Sequence, residues 1–351
     1  MDEQPILVTG GAGFIGSNFV RHMISHGRTI ITLDALTYAG NQSNLADVDN
    51  HPNHIFVEGS IADRKLVGDL LSTYRPTSIV NFAAESHVDR SIDGPAEFIE
   101  TNIVGVFVLI EAFRQHLGTR NGERSIFLHV STDEVYGSTN DQAFKENSPY
   151  APSSPYAASK ASADHLTRAW FKTYELPTII TNCSNNYGPY QFPEKLIPLM
   201  TIKALREEPL PVYGDGKQRR DWLHVTDHCR ALKTVLASGA PGHTYNVGFG
   251  HDIENLHVVN HICSVLDRLR PRRNGDPYSK LIEHVEDRPG HDLRYAIDTS
   301  KLRTELGWKP EIDFETGIES TILWYLENEN WLRTMQADYS GERLGIARQN
   351  R

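Results

Sequence analysis

The stretch Val8-Thr9-Gly10-Gly11-Ala12-Gly13-Phe14-Ile15-Gly16 joins a short apolar run to an amphipathic segment. Its glycines permit a tight turn, a close approach of the backbone to a pyrophosphate, and close packing of a helix on a strand. Glycine-rich strings also occur in simple tight turns. Here the strand before the string and the helix after it favour phosphate binding at the helix N-terminus. The spacing therefore predicts a dinucleotide-binding loop.

The identity of the dinucleotide follows from the next apolar run, which ends in Asp34, 18 residues after Gly16. A carboxylate at this position can accept a hydrogen bond from a ribose hydroxyl of adenosine, and it repels a 2′-phosphate. The sequence therefore predicts NAD rather than NADP as the cofactor.

Short runs rich in Val, Ile and Leu alternate with amphipathic segments through residues 1–184. Continuous apolar runs are typical of parallel strands that are covered on both faces. We expect strands at residues 6–9, 29–33, 54–58, 78–82, 125–131 and 178–182, and helices at 15–26, 64–74, 96–117 and 156–174. Repeated β-α-β order predicts an α/β fold with a doubly wound parallel (Rossmann) sheet.

After Ser184, prolines divide the chain into shorter pieces, and a smaller α/β lobe is expected toward the C-terminus. We expect residues 1–184 to form the NAD-binding domain, with 221–249 returning to it as a strand and a helix over 222–238. Residues 185–220 and 250–333 are expected to form the lobe, and residues 334–351 a tail. Helices in this half are expected at 197–207, 256–269, 300–306 and 314–328.

Composition excludes several functional classes. The 351 residues include 35 Lys and Arg against 45 Asp and Glu, a formal net charge of −10, which argues against nucleic-acid binding. The basic run at 268–273 is broken by Pro271 and is interpreted as a solvated loop. Three widely spaced cysteines are typical of the reducing cytoplasm. The longest apolar run, 103–110, is far shorter than the roughly 20 residues that span a bilayer, so no membrane association is expected.

Tyr156 and Lys160 form a Tyr-x-x-x-Lys pair, and Ser131-Thr132 stands at the end of a predicted strand before it. Residues four apart share a helix face, so the phenol and the ammonium can meet one ligand. A tyrosine with an ordinary pKa of about 10 must be shifted down to act as a base near neutrality. A nearby lysine and a positively charged nicotinamide ring both favour the phenolate. The pattern also occurs by chance, but its place after a dinucleotide loop favours catalysis.

Taken together, these residues resemble the extended short-chain dehydrogenase/reductase family, and within it the nucleotide-sugar dehydratases. The resemblance runs from residue 6 to about 330. It rests on the glycine loop and on the motifs at 36–41 (LTYAGN), 83–91 (AAESHVDRS), 131–137 (STDEVYG), 150–164, 182–196, 220–222 (RDW) and 287–292 (DRPGHD).

The resemblance implies an NAD-dependent lyase that converts dTDP-glucose to a 4-keto-6-deoxy product. Catalytic roles are implied for Thr132, Asp133, Glu134, Tyr156 and Lys160. Glu134 is the implied base at C5 and Asp133 the implied acid at the C6 hydroxyl, because two carboxyls can divide these roles when their pKa values differ. The same reaction on a UDP-hexose or another nucleotide hexose, and a nucleotide-sugar 4-epimerase, remain alternatives. A non-catalytic NAD sensor would need only the dinucleotide loop.

The resemblance also implies binding residues, carried over position by position. For NAD they are Gly10, Gly13, Phe14, Ile15, Gly16, Asp34, Ala35, Leu36, Thr37, Ser60, Ile61, Ala83, Ala84, Ser86, Thr101, Tyr156, Lys160 and Asn186. For the nucleotide sugar they are Ser86, Thr132, Asn185, Lys195, Leu196, Pro211, Tyr213, Arg220, Asn255, Asp287 and His291. Arg220 suits a bidentate diphosphate clamp, with an ion pair to Asp221 as the alternative.

One position departs from the family, where an aspartate usually accepts from the adenine amino group and this chain has Ser60. A hydroxyl accepts without charge, so the adenine contact should be weaker. The 16 histidines form no HExxH motif or Cys/His cluster, so no metal site is expected. The helices at 96–117 and 156–174 carry more apolar residues than one buried face needs. The family pairs the matching helices across a two-fold axis, which implies a homodimer.

Overall fold

The structure is a computed structural model that describes residues 4–118, 124–139, 142–287 and 292–337. Its strands are β1 (Ile6–Thr9), β2 (Ile30–Asp34), β3 (His54–Glu58), β4 (Ser78–Asn81), β5 (Phe127–Thr132), β6 (Thr178–Cys183), β7 (Asn185–Tyr187), β8 (Leu210–Tyr213), β9 (Arg219–His224), β10 (Thr244–Val247), β11 (Asp252–Glu254) and β12 (Ile282–Val285).

The helices alternate with these strands. They are α1 (Phe14–Ser25), α2 (Arg64–Tyr74), α3 (Val88–Asp93), α4 (Pro95–Ile99), α5 (Val106–Leu117), α6 (Pro155–Tyr174), α7 (Leu196–Leu205), α8 (Val225–Ser238), α9 (Asn255–Leu269), α10 (Ser300–Leu306), α11 (Phe314–Glu327) and α12 (Glu329–Ala337). Single 3₁₀ turns cover Gln42–Leu45, Asp133–Tyr136 and Tyr278–Leu281, and a π-helical turn covers Glu100–Gly105.

Seven parallel strands form the main sheet, in the order β10-β6-β5-β4-β1-β2-β3. Helices α1 and α8 pack on one face through an apolar cluster that includes Phe19 and Leu232. Helices α2 and α5 pack on the other face around Leu70 and Phe113. Both faces of the sheet are therefore buried, and the predicted α/β doubly wound fold is confirmed.

The smaller lobe is built on two short sheets. Strand β9 lies between β7 and β11, parallel to the first and antiparallel to the second, and β8 pairs with β12 in parallel. An apolar cluster joins α7, α9 and α11 behind these sheets, with Tyr187, Met200, Ile262 and Ile318 at its centre. No helix among the described residues is long and apolar enough to cross a membrane.

Three elements differ from the sequence-based prediction. The strand expected near residue 222 forms as β9 but pairs within the lobe, and β10 is the strand that joins the edge of the main sheet. The helix expected over 96–117 is divided by the π-helical turn. Helix α12 includes the first residues of the expected tail, with Met335 buried, and residues 338–351 lie outside the described part of the chain.

Candidate active site

A cavity of about 550 Å³ lies at the carboxyl ends of the central strands of the main sheet. In open parallel sheets this edge is where ligands bind, because the strand order reverses there. The predicted residues on its wall are Gly10, Gly13, Phe14, Ile15, Gly16, Asp34, Ala35, Thr37, Ser60, Ile61, Ala83, Ala84, Ser86, Thr101, Thr132, Asp133, Glu134, Tyr156, Lys160, Asn185, Asn186 and Lys195.

The glycine loop turns directly from β1 into α1 at one end of this cavity. Gly10 has φ of 69°, and a Cβ there would lie 2.5 Å from the Ala83 backbone N. A Cβ on Gly16 would lie 2.1 Å from the Gly10 carbonyl O. Side chains are therefore excluded at both positions. Gly13 caps α1 without a side chain, so the first N–H groups of the helix are left for an anionic ligand.

Asp34 at the end of β2 is held by the same loop. Its Oδ2 accepts from the Ala12 N–H at 2.8 Å and its Oδ1 accepts from the Leu36 N–H at 2.9 Å. Burial raises the pKa of Asp34, and both backbone hydrogen bonds oppose that rise. Each carboxylate oxygen keeps a lone pair for a ribose hydroxyl. The glycine loop, which has no side chains in the way of a pyrophosphate, and the Asp34 carboxylate, which can accept from a ribose hydroxyl, together fit NAD.

Two predicted cofactor positions behave differently from the rest. Leu36 turns the chain with φ of 49° and contributes its N–H to Asp34, but its side chain is not on the cavity wall. Ser60 is exposed at the wall, where its Oγ accepts from the Ala62 N–H at 3.1 Å. That hydroxyl is engaged in a local turn, and the weaker adenine contact stays a prediction.

The catalytic side chains come from the end of β5 and the start of α6. Thr132 ends β5, and its Oγ1 accepts from the Glu134 N–H at 3.3 Å, which starts the turn that carries Asp133 and Glu134. Ser154 caps α6, so Tyr156 and Lys160 lie on its first two turns. The cavity wall brings these five predicted catalytic residues, Thr132, Asp133, Glu134, Tyr156 and Lys160, together.

The two neighbouring carboxyls lie in different surroundings. Asp133 is 3% exposed, whereas Glu134 is half-buried. Burial, together with the charges of Glu134 and Asp221, raises the pKa of Asp133 well above its ordinary value, and Arg220 opposes this. This rise favours the protonated form of the Asp133 carboxyl over the form favoured by a solvated carboxyl. The pair is therefore arranged as one acid and one possible base.

Tyr156 differs from the expectation of a lowered pKa. Burial and the Glu134 charge raise the pKa of its phenol, and a hydrogen bond with Thr132 only partly opposes them. Burial lowers the pKa of Lys160 to about 8, and its Nζ donates to the Val130 carbonyl O at 2.8 Å. The chain alone therefore favours the neutral phenol, because burial and the Glu134 charge outweigh the hydrogen bond with Thr132.

Several predicted substrate residues lie in the lobe, away from the cavity wall. Pro211 and Tyr213 are on β8, and Leu196 begins α7. Gln218 links two others, since its Nε2 donates to Asp287 Oδ2 at 2.8 Å and its carbonyl O accepts from the Asn255 N–H at 2.9 Å. His291 lies outside the described residues.

Arg220 on β9 lies between the lobe and the cavity. Its guanidinium donates to the Asp292 and Leu293 carbonyl oxygens and lies 4.3 Å from the centre of the Tyr295 ring. The Asp221 carboxylate instead accepts from the Phe249 and Gly250 N–H groups. The charge of Arg220 also lowers the pKa of Asp133, so the lobe acts on one of the predicted catalytic carboxyls.

The sequence prediction did not include two acidic residues on the cavity wall, Glu85 and Glu194. Glu194 is buried beside three basic side chains, with Nε2 of His87 and Nε of Arg90 each 3.6 Å and Nζ of Lys195 3.8 Å away. Burial raises the pKa of both glutamates. Both stand in irregular segments, where no periodicity distinguishes a buried acid from a solvated one.

Comparison with known proteins identifies the family. The family model of GDP-mannose 4,6 dehydratase matches residues 7–321. A dTDP-glucose 4,6-dehydratase of Xanthomonas campestris pv. campestris (strain B100) is 57% identical, with 97% of this chain and 98% of that protein covered. The chain belongs to the nucleotide-sugar 4,6-dehydratases. The resemblance found in the sequence is thereby confirmed.

Other nucleotide-sugar 4,6-dehydratases agree with this assignment. An Escherichia coli dTDP-glucose 4,6-dehydratase is 52% identical, covering 97% of this chain and 99% of its own. A solved dTDP-glucose 4,6-dehydratase of Bacillus anthracis in complex with NAD is 46% identical, with a TM-score of 0.84 over 95% of this chain and 99% of that chain. A UDP-glucose 4-epimerase of Thermotoga maritima is only 28% identical. Its TM-score is nevertheless 0.83, over 93% of this chain and all of that chain. The fold is shared more widely than the sequence.

Proposed function

We propose that this chain is an NAD-dependent lyase that converts dTDP-glucose to dTDP-4-keto-6-deoxyglucose and water. The observation that carries the proposal is the Asp133-Glu134 pair, whose two carboxyls lie in different surroundings beside Thr132, Tyr156 and Lys160 on one cavity wall. Full-length relatives above 50% identity bear the name of this reaction. An epimerase or an NAD sensor would have no use for the acid and base pair.

Tyr156 is proposed to take the proton of the C4 hydroxyl, with Thr132 as its hydrogen-bond partner and Lys160 as the nearby cation. When bound, NAD⁺ would supply a hydride acceptor for C4 and, once reduced, a hydride donor for C6, so no net oxidation would occur. The carboxylate of Asp34 and the N–H groups at the start of α1 would hold the ribose and pyrophosphate of the cofactor.

The carboxyl pair then removes water across C5 and C6. The ketone at C4 acidifies the C5 proton, Glu134 is proposed to take it, and Asp133 is proposed to protonate the departing C6 hydroxyl. Glu134 can afterwards return a proton to C5 of the product. Proton balance leaves Tyr156 protonated and Asp133 ionised, so one proton must pass from the first to the second before the next turnover.

The lobe formed by 185–220 and 250–333 is proposed to hold the nucleotide. Arg220, Asn255 and Asp287 lie in this lobe, and a guanidinium such as that of Arg220 suits a diphosphate. The relatives act on dTDP-glucose by name, which favours thymidine over uridine as the base. Purified chain should therefore convert dTDP-glucose faster than UDP-glucose when products are followed by mass spectrometry. No dehydration of either sugar, with NAD supplied, would overturn the function.

A homodimer is proposed through α5 and α6. Aromatic rings cross both helices on the outer face, with Phe107 and Trp170 centred 5.8 Å apart and Trp170 and Tyr174 5.6 Å apart. Tyr174 is 51% exposed and Ile99 is 48% exposed, so both side chains have apolar surface that a partner could cover. Tyr174→Asp should shift the sedimentation coefficient from dimer to monomer, and a monomeric unaltered chain would contradict the proposal. The buried free cysteines suit the cytoplasm as its compartment.

A further inference from the structure

The catalytic pair on α6 continues into two further charged residues on the same face. Tyr156, Lys160, Asp164 and Arg168 are spaced four apart, so each lies one turn beyond the last. Lys160 is 3% exposed and Asp164 is 0% exposed. A carboxylate buried this fully carries a large desolvation cost unless donors and a counter-charge surround it. Asp164 has a role in neither cofactor nor substrate binding as described above.

A chain of hydrogen bonds runs across the central strands β1, β4 and β5 and ends in a donor directed toward Asp164. Thr9 Oγ1 donates to Asn81 Oδ1 at 2.6 Å, which leaves the Asn81 amide nitrogen to donate to His129 Nδ1 at 3.1 Å. The proton of the neutral His129 ring must then lie on Nε2, which is 3.5 Å from Asp164 Oδ1. Burial and the charges of Lys160 and Arg168 lower the pKa of His129, so the ring stays neutral.

The other carboxylate oxygen is held by donors from two further segments. Asp164 Oδ2 accepts from the Tyr150 hydroxyl at 2.7 Å and from Asn182 Nδ2 at 3.2 Å. Arg168 donates to the same Tyr150 hydroxyl and stacks on its ring. Residues of β5, β6, α6 and the loop before α6 therefore converge on this one carboxylate. Burial raises the pKa of Asp164, and the hydrogen bond from Tyr150 and the charges of Lys160 and Arg168 oppose that rise and favour the ionised form.

The charges that face Lys160 come from few elements. They are Asp164 on α6, the Cys183 thiol on β6, and His129 on β5, whose pKa the charge of Lys160 lowers. Burial lowers the pKa of Lys160 to about 8, and Asp164 is the carboxylate that opposes this. The catalytic carboxyls of Asp133 and Glu134 lie beyond Thr132, toward the phenol of Tyr156.

We propose that Asp164 is a positioning residue that keeps Lys160 charged, and that the Tyr150, Asn182 and His129 contacts hold its carboxylate for that task. The inference deepens the proposed function, because it states what maintains the cation beside Tyr156. Without this counter-charge, a buried ammonium would lose its proton near neutral pH. The phenol would then lack the cation that favours its ionised form, and proton removal from the C4 hydroxyl would slow.

The test measures the protonation of Lys160 directly. Lysines labelled with ¹³C at Cε are titrated by NMR in the full chain, and the Lys160 signal is assigned by its loss in Lys160→Met. In Asp164→Asn the pKa of Lys160 should fall by about one unit or more, because the carboxylate one helical turn away no longer opposes the effect of burial. This titration needs no substrate. It therefore tests the role of Asp164 even if the chain does not convert dTDP-glucose.

Two variants separate charge from structure. Tyr150→Phe removes a hydrogen bond from the same network but leaves the carboxylate, so the pKa of Lys160 should stay within a few tenths of a unit. Arg168→Met removes the competing cation, so the pKa of Lys160 should rise, which gives a second test if Asp164→Asn does not fold. In steady state Asp164→Asn should lower kcat and leave KM within about twofold, since Asp164 does not line the cavity.

A purely structural role predicts different results. Asp164→Asn and Tyr150→Phe would then both lose stability and activity while the pKa of Lys160 matched that of the unaltered chain in each. An unchanged Lys160 titration in folded Asp164→Asn, or in folded Arg168→Met if the first variant is not obtained, would overturn the proposal.

Discussion

Asp133 and Glu134 are neighbours in sequence, but the backbone turn after β5 places one inside the protein and leaves the other half-buried. In the proposed mechanism, this difference in surroundings makes Asp133 the acid and allows Glu134 to act as the base. A pair of exposed carboxyls would both be ionised at neutral pH and could not divide these roles.

Replacing each carboxyl should therefore affect a different observable. Asp133→Asn should lower kcat by about 10²–10⁴-fold because the C6 hydroxyl loses its proton donor. Glu134→Gln should lower kcat similarly and should also stop exchange of the C5 proton with solvent. Product formation by mass spectrometry and deuterium at C5 by NMR measure the two effects. The roles would be reversed if Asp133→Asn, and not Glu134→Gln, abolished C5 exchange.

The gathering of these residues at one cavity wall could be predicted from sequence because they stand in contiguous motifs at strand ends, and their roles stay predictions. The pKa of Tyr156 could not, since its burial and the direction of the Lys160 side chain toward Val130 depend on the packed structure. The acidic Glu194 was missed for a related reason. Its burial arises from the crossing of a proline-rich segment with the residues around His87, which are distant in sequence.

The division of the helix predicted over 96–117 has a physical cause that no periodicity shows. In the π-helical turn, Asn102 bonds both backbone groups of Glu85 and donates to Ser159 Oγ at 2.8 Å. A Cβ on Gly105 would lie 2.6 Å from Ile61, so the helix packs closely against the turn between β3 and α2 there. The extra residue of a π-helical turn rotates the side chains that follow it, and such turns are frequent at functional sites. Thr101 is thereby on the cavity wall.

Helix α12 lies beside the dinucleotide loop, although it is far from that loop in sequence. Trp331 Nε1 donates to Asn44 Oδ1 at 2.7 Å, and Asn44 Nδ2 donates to the Ala12 carbonyl O at 2.8 Å. Met335 of the same helix packs on Phe192 at the cavity wall. The C-terminal helix therefore braces the loop that is proposed to bind the cofactor.

Trp331→Phe should accelerate NAD release about threefold to tenfold. The buried Asn44 oxygen loses its donor, and the dinucleotide loop loses its hydrogen-bonded link to α12. Dissociation can be followed by fluorescence after dilution of the loaded protein. The matched control is Trp324→Phe, which alters the neighbouring ring, 5.1 Å from Trp331 between centroids, without removing this hydrogen bond. Equal release rates in the two variants would show that α12 does not brace the loop.

Several histidines are buried throughout the molecule, and they make its stability depend on pH. Burial lowers the pKa of His228 to about 3 and of His224 to about 4. The unfolded chain, with histidine pKa values near 6.5, binds protons that the folded chain does not, so stability falls as the pH falls below 6.5. For His228 the total loss is roughly 4–5 kcal/mol by the time the pH reaches its folded pKa.

His228→Asn should flatten this acid-side loss. The His228 ring donates from Nδ1 to Asn186 Oδ1 at 2.9 Å, and the asparagine amide can reproduce that donor without a titrating group. Urea unfolding over a series of pH values below 6.5 measures the slope in each protein. If the slopes of the variant and the unaltered chain coincide, protonation of His228 does not contribute to acid unfolding.

The most direct test of the whole account is a single incubation of purified chain with dTDP-glucose in D₂O, without added NAD, followed by NMR and mass spectrometry of the product. The account predicts loss of one water with deuterium at C5, because Glu134 exchanges the proton that it takes and returns, and because the cofactor is regenerated in each turnover. Unchanged sugar, even after NAD is supplied, would contradict it.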